Sequence, residues 1–174
     1  EQVLARWDLT AGSWFRLAPD ASLAAADRVL SLPTYRPQML LMPHTKITFS
    51  GETKGQVCAP FEPEMPCLAI EYGRVAVVSV ADRGTKIRFE FGKRNGIAIL
   101  PDAESELAVE VLPYLSPGID PLETAGLLVV VLYAVNGEVT WGEEATEPVN
   151  IGAGQALELV GDRPGKLITA GTRP

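Results

Sequence analysis

Apolar and polar residues alternate with a period of two through most of this chain, and turn residues separate the alternating runs. In KITFS, residues 46–50, Ile47 and Phe49 oppose Lys46 and Thr48. In KIRFEF, 86–91, Ile87, Phe89 and Phe91 oppose Lys86, Arg88 and Glu90, and in ELAVEV, 106–111, Leu107, Val109 and Val111 oppose Glu106, Ala108 and Glu110. A period of two sends alternate side chains to opposite faces of an extended segment, so each run reads as a half-buried strand. Further strands are expected at 38–42, 68–72, 74–80, 96–100 and 166–170, separated by Gly51, Gly55, Gly73, Gly84, Gly92, Asn95-Gly96 and Gly165. Many short strands with frequent turn residues predict an all-β domain, an antiparallel sandwich or roll with little helix.

The strongest stretch is VVVLYAVNGEVTWGEEATEPVNIGAGQALELVGD, 129–162. Val129 to Val135 is apolar on both alternating faces, as a strand covered on both sides must be. Asn136-Gly137 is a hairpin-turn pair, and Val139, Trp141, Val149, Ile151, Leu157 and Leu159 resume the alternation, giving a buried hairpin followed by a strand pair. The one helical candidate is ASLAAADRVLSL, 21–32, with Ser22 as a cap and Pro33 as a stop. A competing reading lays GSWFRLAPDASLAAADRVLSL, 12–32, over GEVTWGEEATEPVNIGAGQALEL, 137–159, which places Asp27 where Gln155 falls. It predicts one turn-and-strand unit used at both ends of the domain. PYLSPGIDPLETAG, 113–126, with three prolines and two glycines, reads as an insert carried inside the domain.

At 174 residues the chain suits one well-buried domain, 1–174. Its 47% hydrophobic and 21% charged residues exclude disorder, and the longest apolar run, LLVVVLYAV at 127–135, is under half a membrane-crossing helix. A net charge of −7 disfavours a nucleic-acid partner. The chain opens on Glu1 with no signal-peptide pattern, which reads as a processed end or an arbitrary boundary, so a membrane anchor outside it is compatible with these residues. Cys58 and Cys67 flank APFEPEMP, whose three prolines stiffen the connection. They are a candidate disulfide, worth about 2–3 kcal/mol by loop entropy, with two free thiols as the alternative.

Residues able to carry chemistry are sparse. His44 is the sole histidine and no second one is there to join it on a metal. IGAGQA, 151–156, lacks the third glycine of a dinucleotide loop, GDRPGK, 161–166, misses a phosphate-loop spacing, and no serine sits in a nucleophile elbow. The carboxylates at Glu62/Glu64, Asp102/Glu104/Glu106 and Glu143/Glu144 read as solvated surface. The run Arg83, Lys86, Arg88, Lys93, Arg94 surrounds Phe89 and Phe91, which alternation assigns to the core. No enzyme activity, cofactor or metal is therefore expected. Trp14, Tyr35 and Trp141, with Trp7, are candidates for an exposed aromatic platform, though such residues more often fill a core.

Taken in order, the pattern resembles a FecR-type domain, the extracytoplasmic module of bacterial membrane-anchored sigma-factor regulators and other envelope proteins. The resemblance rests on LAAADRVLSLPTYRPQMLLMPHTKITFSG at 23–51, CLAIEYGRVAVVSV at 67–80 with its glycine step at Gly73, and GTKIRFEFGKRNGIAIL at 84–100. It closes on VLYAVNGEVTW and NIGAGQALEL, which are similar to the family's final signature at Gly137, Val139, Gly154 and Gln155. DAESELAV at 102–109 departs from the family's Gly-Thr-x-Phe-x-Val step, and the 113–126 insert has no counterpart in it. The resemblance implies turn glycines at Gly73, Gly137 and Gly154, no catalytic residues, a periplasmic or otherwise extracytoplasmic location, and a protein partner such as an envelope receptor or regulator in a signalling relay. The rival reading is a carbohydrate-binding or structural module of a surface protein, which needs the aromatic platform to be exposed.

Overall fold

The computed structural model describes residues 3–114, 127–144 and 146–169. These contain fourteen strands and no helix, as the alternation predicts. Four short strands come first: β1 (Leu4–Asp8), β2 (Ser13–Arg16), β3 (Arg28–Ser31) and β4 (Gln38–Leu41). A long hairpin of β5 (Thr45–Glu62) and β6 (Met65–Ser79) follows. Then come β7 (Thr85–Phe91), β8 (Arg94–Leu100), β9 (Glu106–Tyr114) and β10 (Leu127–Asn136). The series ends with β11 (Glu138–Gly142), β12 (Val149–Gly152), β13 (Gln155–Val160) and β14 (Lys166–Thr169). Every pairing is antiparallel except that of β6 with β7. Pro113 and Tyr114 extend β9 and pair with Leu128 and Leu127. The rest of the expected insert, 115–126, lies outside the described residues. Among the described residues no helix is long and apolar enough to cross a membrane.

The β5–β6 ribbon bends and so serves two layers. Its first half, Thr45–Ser50 against Arg74–Ser79, pairs outward with β4 on one side and β9 on the other, and β10, β13 and β14 continue that layer. The second half pairs with β3 on one side and β7 on the other, extending to β1 and β2 and to β8, β11 and β12. Side chains of both layers meet in one core. Across the first layer runs the row Phe49, Val75, Val109, Leu132, Leu157, all buried, and from the second come Leu68, Ile87, Phe89, Phe91 and Trp141. The two-faced run is covered on both sides only in its middle: Val130 and Leu132 face this core and Val131 on the opposite face is also 0% exposed, but Val129 and Tyr133 are half-buried and Val135 is exposed.

The bend sits at Gly73, which is a corner within one continuous strand; the sequence divides the same stretch into two strands with a turn between. Gly73 has φ +108, and a Cβ there would lie 2.5 Å from Glu52 O, Thr53 Cα and Thr53 Oγ1. Thr53, fully buried, accepts a hydrogen bond from Arg74 N at 2.9 Å and donates to Arg74 O at 3.0 Å. That hydroxyl replaces the ladder bonds lost where the register shifts between Ser50 and Lys54.

Asn136-Gly137 is not the expected hairpin. β10 pairs with β9 and β13, whereas β11 pairs with β8 and β12. A tight two-residue hairpin of this type needs positive φ at both central residues, and only Gly137 has it, at +67. The chain instead crosses between layers, held by Asn136 Nδ2 donating to Glu104 O at 3.0 Å, with Gly137 so close to Ser105 that a Cβ would approach its Oγ to 2.7 Å.

Residues 21–32 form no helix; they make a turn that leads into β3. The overlay of the two ends of the chain holds at the level of single hydrogen bonds. Asp27 Oδ2 accepts from Ala24 N at 2.8 Å, and Gln155 Oε1 accepts from Gly152 N at 2.9 Å, three residues back in both cases. The residue before the acceptor is left-handed in both, Ala26 at φ +73 and Gly154 at φ +76. Alanine carries a steric cost in that region that glycine avoids, set against the greater freedom of glycine in the unfolded chain. Ala26→Gly is therefore expected to stabilise the protein, and Gly154→Ala to destabilise it, each by about 0.5–1 kcal/mol. Urea midpoints of the two variants check this; a Gly154→Ala variant as stable as the parent would show that the turn tolerates a side chain.

Candidate functional site

A groove of about 1030 Å³ opens where the two layers part, between the 17–25 connection, β4 and the tip of the β5–β6 ribbon. Leu4, Met39, Leu41 and Val57 line its apolar depth, while Leu40, Met42 and Val80 stand exposed around it. Alternation explains the arrangement: Met39 and Leu41 point into the core, so Leu40 between them must point out. Among the described residues β4 is bonded to β5 alone, and its other edge carries no strand of theirs.

Cys58 and Cys67 also line this groove. They are directly opposed on β5 and β6, so their proximity comes from strand register rather than from the prolines between them. Both are free thiols in this structure, where the sequence makes them a candidate bridge. The parallel β6–β7 pairing sets Cys67 beside Arg88, and Glu90, two residues on, projects from the same face. Cys58 Sγ lies 3.8 Å from Glu90 Oε2, and one ligand atom from each of Cys58, Cys67 and Glu90 falls within 4.8 Å of the others. A hydrogen bond between the two sulfurs lowers the pKa of the Cys58 thiol and raises that of Cys67, with burial and the Glu90 charge pushing Cys67 further up. Glu90 is the member that sequence reasoning missed, because nothing local in a strand of period two specifies a parallel neighbour.

The candidate aromatic platform does not assemble. Trp141 is 2% exposed and packs in the core against Phe91, with ring centroids 6.0 Å apart. Its ring covers Gly96, where a Cβ would come within 2.3 Å of it. Trp14 is half-buried and meets Trp7 edge-on at 5.4 Å, and Tyr35 is half-buried on a separate turn. Glu143 is not the solvated carboxylate expected from sequence. It takes two hydrogen bonds from Arg94, at 2.6 and 3.0 Å, and one from Trp141 Nε1 at 3.0 Å. Arg94 Nη1 also donates to Gly161 O and Arg163 O, both at 2.8 Å, so one guanidinium ties β8 to the segments after β11 and β13.

His44 accepts from Arg83 at 2.6 Å through Nε2 and, with Glu62, Glu64 and Lys86, lines a cavity of about 380 Å³. No serine or cysteine is among its lining residues, and the Thr85 hydroxyl there is bonded to Thr45 Oγ1 at 2.6 Å in the buried interior. Gly154 occupies the turn expected of it, Gly137 lies at the crossover between layers in place of a hairpin, and Gly73 occupies the corner within β6. No protein-family model matches the chain, and no curated protein matches it.

Proposed function

We infer that this chain is a non-enzymatic protein-binding domain that takes an extended segment of a partner protein along the outer edge of β4. One observation carries the reading: among the described residues β4 is bonded on one side only, and Leu40 and the adjoining Met42 stand 54% and 73% exposed beside the groove. An edge strand offers unpaired amides and carbonyls for a further strand, and alternating pockets beside it select the side chains of that strand. A sensory role in the bacterial envelope, with a receptor or regulator as partner, rests on the FecR-type resemblance and gives the bound segment its source.

A photoreactive side chain placed at Leu40 is expected to cross-link one envelope protein, and Met42→Glu to reduce that product by about 10-fold or more, equivalent to about 1.4 kcal/mol. The control position is Val135, exposed on another surface. Equal labelling from Val135 would reject the β4 site. Polysaccharide binding that survives Leu40→Glu and disappears in Trp14→Ala would favour the carbohydrate-binding alternative.

A further inference from the structure

The second layer carries, at the border of the groove, a cluster that pairing along the β4 edge does not use. Cys58, Cys67 and Glu90 come from three adjacent strands, β5, β6 and β7, so their positions are fixed by ladder register and not by a mobile loop. Cys67 is buried, Cys58 and Glu90 half-buried, and both cysteines border the groove. We propose that these three residues bind a thiophilic divalent cation of the zinc type, with the fourth coordination position open to the groove.

The geometry is close to what such an ion requires. Tetrahedral bonds of about 2.3 Å to sulfur and about 2.1 Å to oxygen separate ligand atoms by about 3.5–3.8 Å. The three ligand atoms already lie within 4.8 Å of one another, and the Cys58–Glu90 separation is 3.8 Å, so small side-chain rotations complete the site. The two oxygens of Glu90 divide their work: Oε2 faces Cys58, and Oε1 lies 3.6 Å from Arg88 Nε. Arg88 Nη2 in turn donates to Asn95 Oδ1 at 3.1 Å, which orients the guanidinium from behind. Coordination takes both thiols as thiolates and releases their protons to solvent. Two thiolates and a carboxylate leave one negative charge around a dication, and Arg88 offsets it. A calcium-type ion is not served by this site, because sulfur supplies two of the three ligands.

The probe is Co²⁺ added to the chelator-treated, reduced protein. One equivalent should bind with thiolate-to-metal charge-transfer absorption, which Zn²⁺ then abolishes by displacement. Cys58→Ser is expected to weaken binding by about 100-fold, and Glu90→Gln by at least about 10-fold while the charge-transfer bands persist. Because Cys67 is buried, a second measurement uses the unaltered protein: Zn²⁺ should slow alkylation of both thiols, and Ca²⁺ should not. Absence of thiolate absorption, equal affinity in Glu90→Gln, or alkylation rates indifferent to Zn²⁺ would each overturn the proposal, as would a Cys58–Cys67 pair that binds no cobalt once reduced.

Discussion

Gly73→Ala is expected to cost about 3 kcal/mol or more, a large share of the 5–15 kcal/mol that holds a domain together. Two effects combine. A φ of +108 is closed to residues with a Cβ, and the new methyl would stand 2.5 Å from Thr53 Cα and Glu52 O, backbone-borne atoms that no rotamer change can move aside. The ribbon would have to open at its corner, which breaks the paired bonds between Thr53 Oγ1 and the Arg74 backbone and exposes groups that are otherwise satisfied. Gly154→Ala is the matched control, since it shares the positive φ but has no atom within 4 Å of the added carbon. Urea unfolding of both variants separates backbone strain from collision. A Gly73→Ala protein within 1 kcal/mol of the parent would mean the corner can relax at little cost, and that the ribbon does not depend on it.

Arg94→Met is expected to cost about 3 kcal/mol, because it strands Glu143 with most of its surface covered. The side chains of Arg94 and Glu143 are 13% and 17% exposed, so solvent screens the pair far less than an ordinary surface bridge. The methionine fills the same volume but leaves two carboxylate bonds and two backbone carbonyls, Gly161 O and Arg163 O, without their donor. Arg94→Lys should fall between, since an ammonium keeps the charge and loses the fork. The double variant Arg94→Met/Glu143→Gln should recover part of the loss, giving coupling of at least about 1 kcal/mol in a double-mutant cycle. Additive single effects would refute a shared network. Trp141 reports on the change, because its indole donates to Glu143 and its emission responds when that bond is lost.

What the sequence made legible was local. Alternation located β7 and the starts of β5 and β9 closely, since the period of two survives wherever one face is buried. It missed β1 and β2, whose Ala5, Trp7, Trp14 and Phe15 do not alternate cleanly with polar neighbours, and it cut β6 in two at Gly73. Pairing partners were less legible still. Asn136-Gly137 carries the composition of a hairpin, yet Ser105 and Glu104, some thirty residues earlier, decide where the chain goes. The same limit hid the site. Cys58 and Cys67 are visible as a pair, but Glu90 and Arg88 join them through a parallel contact that only the folded chain brings about. Glu143 looked like surface because its cation, Arg94, lies 49 positions away.

The shared ribbon also has a consequence for biosynthesis. A chain emerging from the ribosome completes β5 and β6 while the strands that cover Phe49 and Val75 are still unmade, and Leu157 is the last member of their row to be translated. Neither layer can close early, because each borrows half of the same hairpin. Until β13 arrives, β10 keeps a free edge and its apolar row lacks Leu157, the kind of surface that aggregates or engages a chaperone. Messages truncated before residue 157 should yield insoluble product rather than a smaller folded unit, so this fold is acquired whole or not at all.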